Sequence, residues 1–125
     1  MKDLKIKPTK KSPGIELKPG ELSFSGCSII NDPREFFQPV MDWVKEYTKN
    51  PSEKTVVNIK FEYIDSASVK SFFDILKEME KISKKNSLEL NWYYDINDPE
   101  ILELGEIINS KMRLEFRFVE EEGGR

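Results

Sequence analysis

Histidine is absent from the 125 residues, and with it go the commonest general base at neutral pH and the commonest metal ligand. Cysteine occurs once, as Cys27, which excludes an intramolecular disulfide and a multi-cysteine metal site. No His or Arg stands beside it in sequence, so nothing marks it as an activated thiolate. There is no Gly-rich phosphate loop, no G-x-S-x-G turn and no internal repeat. No apolar run approaches the ~18 residues needed to span a bilayer, and the N-terminus lacks the apolar core of a signal peptide. These gaps point to a soluble, cytoplasmic protein with no membrane partner, no catalytic residues, no metal and no cofactor. A carboxylate-only enzyme finds no support in the spacing of the acidic residues.

Charge of either sign is plentiful but nearly balanced. Charged residues make up 34% of the chain and the net charge is −3, which gives no drive towards nucleic acid or an anionic membrane. Lys2, Lys5, Lys7, Lys10 and Lys11 are a local exception, read as a solvated, frayed start rather than a binding arm. Eight Phe, four Tyr and two Trp supply ample core material for one domain of the commonest size.

Residues 1–13, interrupted by Pro8 and Pro13, predict at most a short edge strand at Leu4 to Ile6. A single domain is expected over 14–119, followed by a polar tail at 120–125. Gly14 to Leu17 and Glu21 to Ser25 read as a hairpin around Pro19-Gly20, a pair that suits the centre of a type II turn. Asp32 and Pro33 predict a helix start, and Phe36, Phe37, Val40, Met41, Val44 and Tyr47 form its apolar stripe over 33–49. Pro39 is expected to kink that helix or displace its start.

Thr55 to Ile64 is the strongest strand pattern. Val57, Ile59, Phe61 and Tyr63 share one face, and Asn58, Lys60 and Glu62 make the other wet. A helix over 66–85 follows, with Val69, Phe72, Phe73, Leu76, Met79 and Ile82 inward. Leu88 to Tyr94 predicts a further strand, Asp98-Pro99 starts a helix to about Asn109, and Leu114, Phe116 and Phe118 mark the last strand. The order is an N-terminal hairpin followed by αβαβαβ. The expected fold is α/β, a single sheet of mixed strands with right-handed crossovers and helices mainly on one face.

In such a sheet the strands ending at Ile64 and Tyr94 finish on one rim, so Ser66 and Asp95 are expected as near neighbours. Asp65, Ser66 and Ser68 can each cap the helix that follows, since each oxygen can accept a free N–H. A phosphate on Ser66 would place almost two negative charges where free N–H groups favour anions, while Asp65 and Asp95 oppose it. Its expected effect is therefore to change the surface shown to a partner, without unfolding the domain. Ser68 reads as a cap rather than a second phosphosite. Trp92 and Tyr94 read as core, and Tyr93 is expected to reach the Ser66 rim. Asp95 and Asp98 read as a turn and an N-cap, not as metal ligands.

Thr9 with Ser12-Pro13, Leu22 to Gly26, Phe36-Phe37 with Asp42-Trp43-Val44 and Tyr47, Tyr63 to Lys70, and Trp92-Tyr93-Tyr94-Asp95 together carry a resemblance across nearly the whole chain. The chain resembles the STAS domains of anti-sigma-factor antagonists and, more closely, the SiaC-like regulatory phosphoproteins that control diguanylate cyclases. The resemblance implies a STAS-like fold and a non-catalytic phospho-switch at Ser66, with Asp65, Ala67, Ser68, Lys70, Tyr93 and Asp95 offered to partners. It further implies an anti-sigma-factor-like serine kinase, a PP2C-type phosphatase, and a diguanylate cyclase bound by the unmodified form in c-di-GMP and biofilm control. An anti-sigma-factor circuit is the alternative output. A small-molecule-binding domain or enzyme at the Ser66–Asp95 rim is the reading from a different class.

Overall fold

The alternation of strand and helix patterns closes into one six-stranded sheet whose spatial order equals its sequence order. The computed structural model describes residues 1–122. The strands are β1 (Leu4–Ile6), β2 (Gly14–Lys18), β3 (Glu21–Ser28), β4 (Lys54–Ile64), β5 (Ser87–Asp95) and β6 (Phe116–Glu121). Pairing is antiparallel from β1 to β3 and parallel from β3 to β6. Helices α1 (Pro33–Tyr47), α2 (Ser66–Ser83) and α3 (Pro99–Ser110) make the three crossovers. Each crossover steps to the next strand in the same direction, so right-handed connections put all three helices on one face. The expected α/β architecture is the observed one.

Local signals set most boundaries. Gly20 has φ 92°, the positive value a type II turn needs after Pro19. Its N–H donates to the Tyr47 hydroxyl at 2.9 Å, tying the hairpin to the end of α1. Asp32 caps α1 through the Glu35 N–H, and Asp98 caps α3 through the Ile101 N–H. The helix starts at Pro33 and continues through Pro39, whose side chain is exposed, rather than starting late.

The N-terminus is better held than its lysines suggest. β1 pairs with β2, and the Lys2 carbonyl accepts the Trp43 indole N–H at 2.8 Å. At the other end β6 runs through Glu121, taking the start of the supposed tail into the sheet, while residues 123–125 lie outside the described residues.

The core lies between the sheet and the helices. Phe72 of α2 is its hub, with ring centroids 5.0 Å from both Phe24 of β3 and Phe61 of β4 and 6.3 Å from Phe37 of α1. The opposite face is polar: Ser23, Asn58, Asn91 and Arg117 stand in one row across β3 to β6. Asn91 donates to Asn58 Oδ1 at 2.9 Å and to Glu89 Oε2 at 3.1 Å.

One register change overturns an expectation about β4. Gly26 pairs with Phe61, but Cys27 pairs with Tyr63, so Glu62 is an extra residue in β4. A one-residue slip exchanges the faces beyond it. Ile64 therefore turns into the core at 8% exposure and Tyr63 turns out at 51%, the reverse of simple alternation.

Candidate functional site

Asp65 alone separates the end of β4 from the start of α2. Its extended backbone (φ −78°, ψ 166°) turns the chain, and its Oδ1 accepts the Ser68 N–H at 2.8 Å. Its own N–H donates to the Ser28 carbonyl, and its carbonyl accepts from Val69, both at 2.9 Å. Asp65 thus performs the capping that three residues were candidates for. Ser68 is fully buried, and its Oγ accepts a hydrogen bond from Ser28 Oγ at 2.8 Å. That pair fastens the end of β3 to the first turn of α2. Ser68 is accordingly corrected from a cap and partner-facing residue to an internal one, because its hydroxyl is spent inside the fold.

Ser66 differs from both neighbours. It is the first residue of α2, it is exposed, and its hydroxyl has no hydrogen-bond partner among the described residues. Ala67 and Lys70 are exposed beside it. The buried stripe of α2 runs through Ser68, Phe72, Ile75, Leu76, Met79 and Ile82. Val69 and Phe73, expected inside, are only partly buried and line a cleft of about 220 Å³ between α2 and α3, with Ser66 at its edge.

The rim around Ser66 is shaped by a division of the sheet. The β4–β5 ladder ends at Ile59–Trp92, whereas β4 continues with β3 to Ser28–Ile64 and β5 continues with β6 to Asp95–Glu121. Lys60 spans the division on the open face, its Nζ 4.3 Å from the Tyr93 ring centroid. Tyr93 is therefore engaged on the face away from the helices. Asp95 shares the rim with Ser66, as parallel β4 and β5 require, and its Oδ1 accepts the Asn97 N–H at 2.8 Å in a tight turn. Ile29, Tyr63 and Ile96, at the C-terminal ends of β3, β4 and β5, are 46, 51 and 53% exposed. Sequence reasoning missed this apolar collar. Ile29 and Ile96 stand just past their strands, where their N–H groups donate to the Lys11 and Glu121 carbonyls at 2.8 and 2.9 Å while the residues stay exposed.

The chemistry available here is that of a surface. Burial, then the carboxylates of Glu120 and Glu106, raise the Tyr94 hydroxyl above its ordinary pKa, so it stays protonated. Among the described residues no group of three or more His, Cys, Asp or Glu is placed to hold a metal, and no helix is long and apolar enough to cross a membrane. The strand order never reverses, so the sheet lacks the switch point at which doubly wound folds open a ligand crevice.

At the start of α2, Ser66 thus displays an exposed hydroxyl while Asp65 and Ser68 are committed to the scaffold. The profile of the SiaC family regulatory phosphoproteins matches residues 6–121. The chain belongs to the SiaC family. Its fold is STAS-like, and its family is one of regulatory phosphoproteins rather than enzymes. An uncharacterized protein of Pseudomonas aeruginosa strain UCBPP-PA14 is 29% identical over 109 residues, 85% of this chain and 86% of that protein. The crystal structure of apo-SiaC from Pseudomonas aeruginosa is similar with a TM-score of 0.84 and 27% identity, covering 97% of this chain and 99% of that one. SiaC in the crystal structure of the diguanylate cyclase SiaD with its activator SiaC, from the same organism, is similar with a TM-score of 0.83 and 27% identity, covering 96% and 99%.

Proposed function

We propose that this SiaC family member is a phospho-switch whose acceptor is Ser66 and whose output is binding to a diguanylate cyclase. The observation that carries the reading is the contrast at the start of α2. Asp65 is the cap, Ser68 is buried on Ser28, and the Ser66 hydroxyl alone is exposed and uncommitted. An anti-sigma-factor-like serine kinase adds the phosphate and a PP2C-type phosphatase removes it. The unmodified form engages the cyclase through the rim formed by Asp65, Ser66, Ala67, Lys70 and Asp95, with Tyr63, Ile29 and Ile96 supplying apolar contact. A phosphate adds ~1.5 to 2 negative charges beside Asp65 and puts a strongly hydrated group where that contact must dry. A cyclase partner is supported by the relative that is the activator of SiaD.

Co-expression with a serine kinase of the anti-sigma-factor class, followed by intact-mass analysis, is expected to show one added phosphate that Ser66→Ala abolishes. Phosphate that persists in Ser66→Ala would remove the assignment. Stoichiometric Ser66 phosphorylation with unchanged cyclase binding would remove the output.

A further inference from the structure

The cleft between α2 and α3 begins at Ser66 and carries charge of one sign. Its charged lining residues are Lys70 and Lys111, in a chain whose net charge is −3. Lys70 lies four residues after Ser66 on α2, the spacing that stacks two side chains on one helix face. Lys111 follows the last residue of α3, and its carbonyl accepts from Lys77 Nζ of α2 at 3.5 Å, which holds the end of α3 against α2. Neither Lys70 Nζ nor Lys111 Nζ has an ion-pair or hydrogen-bond partner among the described residues. Between them the floor is apolar: Phe73 and Leu104 are half-buried and Ile107 is 47% exposed. Asp65, the cap of α2, directly precedes Ser66 and does not line the cleft.

From this placement we infer that Lys70 and Lys111 form an internal receptor for a phosphate on Ser66, holding it where the rim meets the mouth of the α2–α3 cleft. The inference rests on Ser66 being the acceptor and deepens that reading by naming where the phosphate goes. A phosphoserine at 66 is repelled by the adjacent Asp65 carboxylate and attracted by two unpaired ammonium groups over apolar surface, where charge–charge attraction is screened less than in open water. Modification then does two things together. It covers an apolar cleft, and it withdraws both cations from any acidic segment of a partner.

The test installs phosphoserine at position 66 by genetic encoding, so no kinase is required. The 31P resonance is then titrated with pH in the wild-type background and in Lys70→Ala/Lys111→Ala. Cations beside a phosphate stabilise its dianion, so the second ionisation is expected at least about 0.5 pH unit lower with both lysines present. The difference should shrink in 1 M salt, where the screening length falls to about 3 Å. Methyl resonances of Leu104 and Ile107 are expected to move on phosphorylation only when the lysines are present. Lys70→Gln/Lys111→Gln, which keeps much of the side-chain length, should behave as the alanine pair does. Equal titration midpoints in folded wild-type and double-variant proteins would overturn the receptor while leaving Ser66 as acceptor. Failure of kinase labelling at Ser66 would bear on the acceptor and leave the titration unaffected.

Discussion

Asp65, Ser66 and Ser68 place three oxygen-bearing side chains in one turn of chain, and their surroundings give each a different task. Removing the cap with Asp65→Ala leaves the Ser68 N–H without its acceptor and is expected to cost about 1 kcal/mol. Ser68→Ala strands the buried Ser28 hydroxyl and is expected to cost about 1–2 kcal/mol. Ser66→Ala removes an exposed hydroxyl with no hydrogen-bond partner among the described residues, so stability should stay within about 0.5 kcal/mol of the parent. Urea unfolding of the three variants checks the order. The assignment of roles is wrong if Ser66→Ala is the most damaging.

At the scale of elements, α1 and α3 carry opposite compromises. Pro39 lies inside α1 and cannot donate to the Glu35 carbonyl one turn back, on an exposed side of the helix. Pro39→Ala restores that donor and is expected to stabilise the protein by about 1 kcal/mol or more, read as a raised thermal midpoint. Gly105 in α3 lies against the face of Trp92, where an added Cβ would sit 2.5 Å from Nε1 and 2.6 Å from Cε2. Trp92 is buried and its indole donates to the Ile101 carbonyl at 3.0 Å, so it has little freedom to give way. Gly105→Ala gains about 1 kcal/mol of helix propensity but pays more in overlap, for an expected net loss of about 1–2 kcal/mol. A rise in midpoint for Gly105→Ala would show that α3 is free to shift.

At the scale of the whole molecule, the proposed phosphorylation of Ser66 is expected to leave the fold alone. Ser66 lies outside the core organised on Phe72, and its phosphate meets both the repulsion of Asp65 and the attraction of α2's first N–H groups. Stoichiometric phosphorylation should therefore move the thermal midpoint by less than about 2 °C. A tenfold or greater loss of cyclase affinity, about 1.4 kcal/mol, is expected over the same change. Calorimetry and binding measured on one preparation separate the two outcomes. A large drop in midpoint would make the switch an unfolding event and not a surface event.

The sequence by itself determined what depends on near neighbours along the chain. Pro19-Gly20 specifies its turn, Asp32 and Asp98 specify their caps, and the helical and strand periodicities specify α1 to α3 and β2 to β6, because these signals act over a few bonds. The order of elements then dictated one-sided helices, and the Asp65-Ser66 junction was legible because the cap and the proposed acceptor are adjacent. Tertiary structure decided what depends on distant partners. Ser68 is taken out of view by Ser28, 40 residues earlier, and the extra residue at Glu62, set by pairing with β3, exchanges Tyr63 and Ile64 between faces. The cleft that unites Ser66 with Lys111 exists only once α3 has folded back beside α2. Periodicity carries no record of such meetings, since they are fixed by packing between elements rather than by bonding within them.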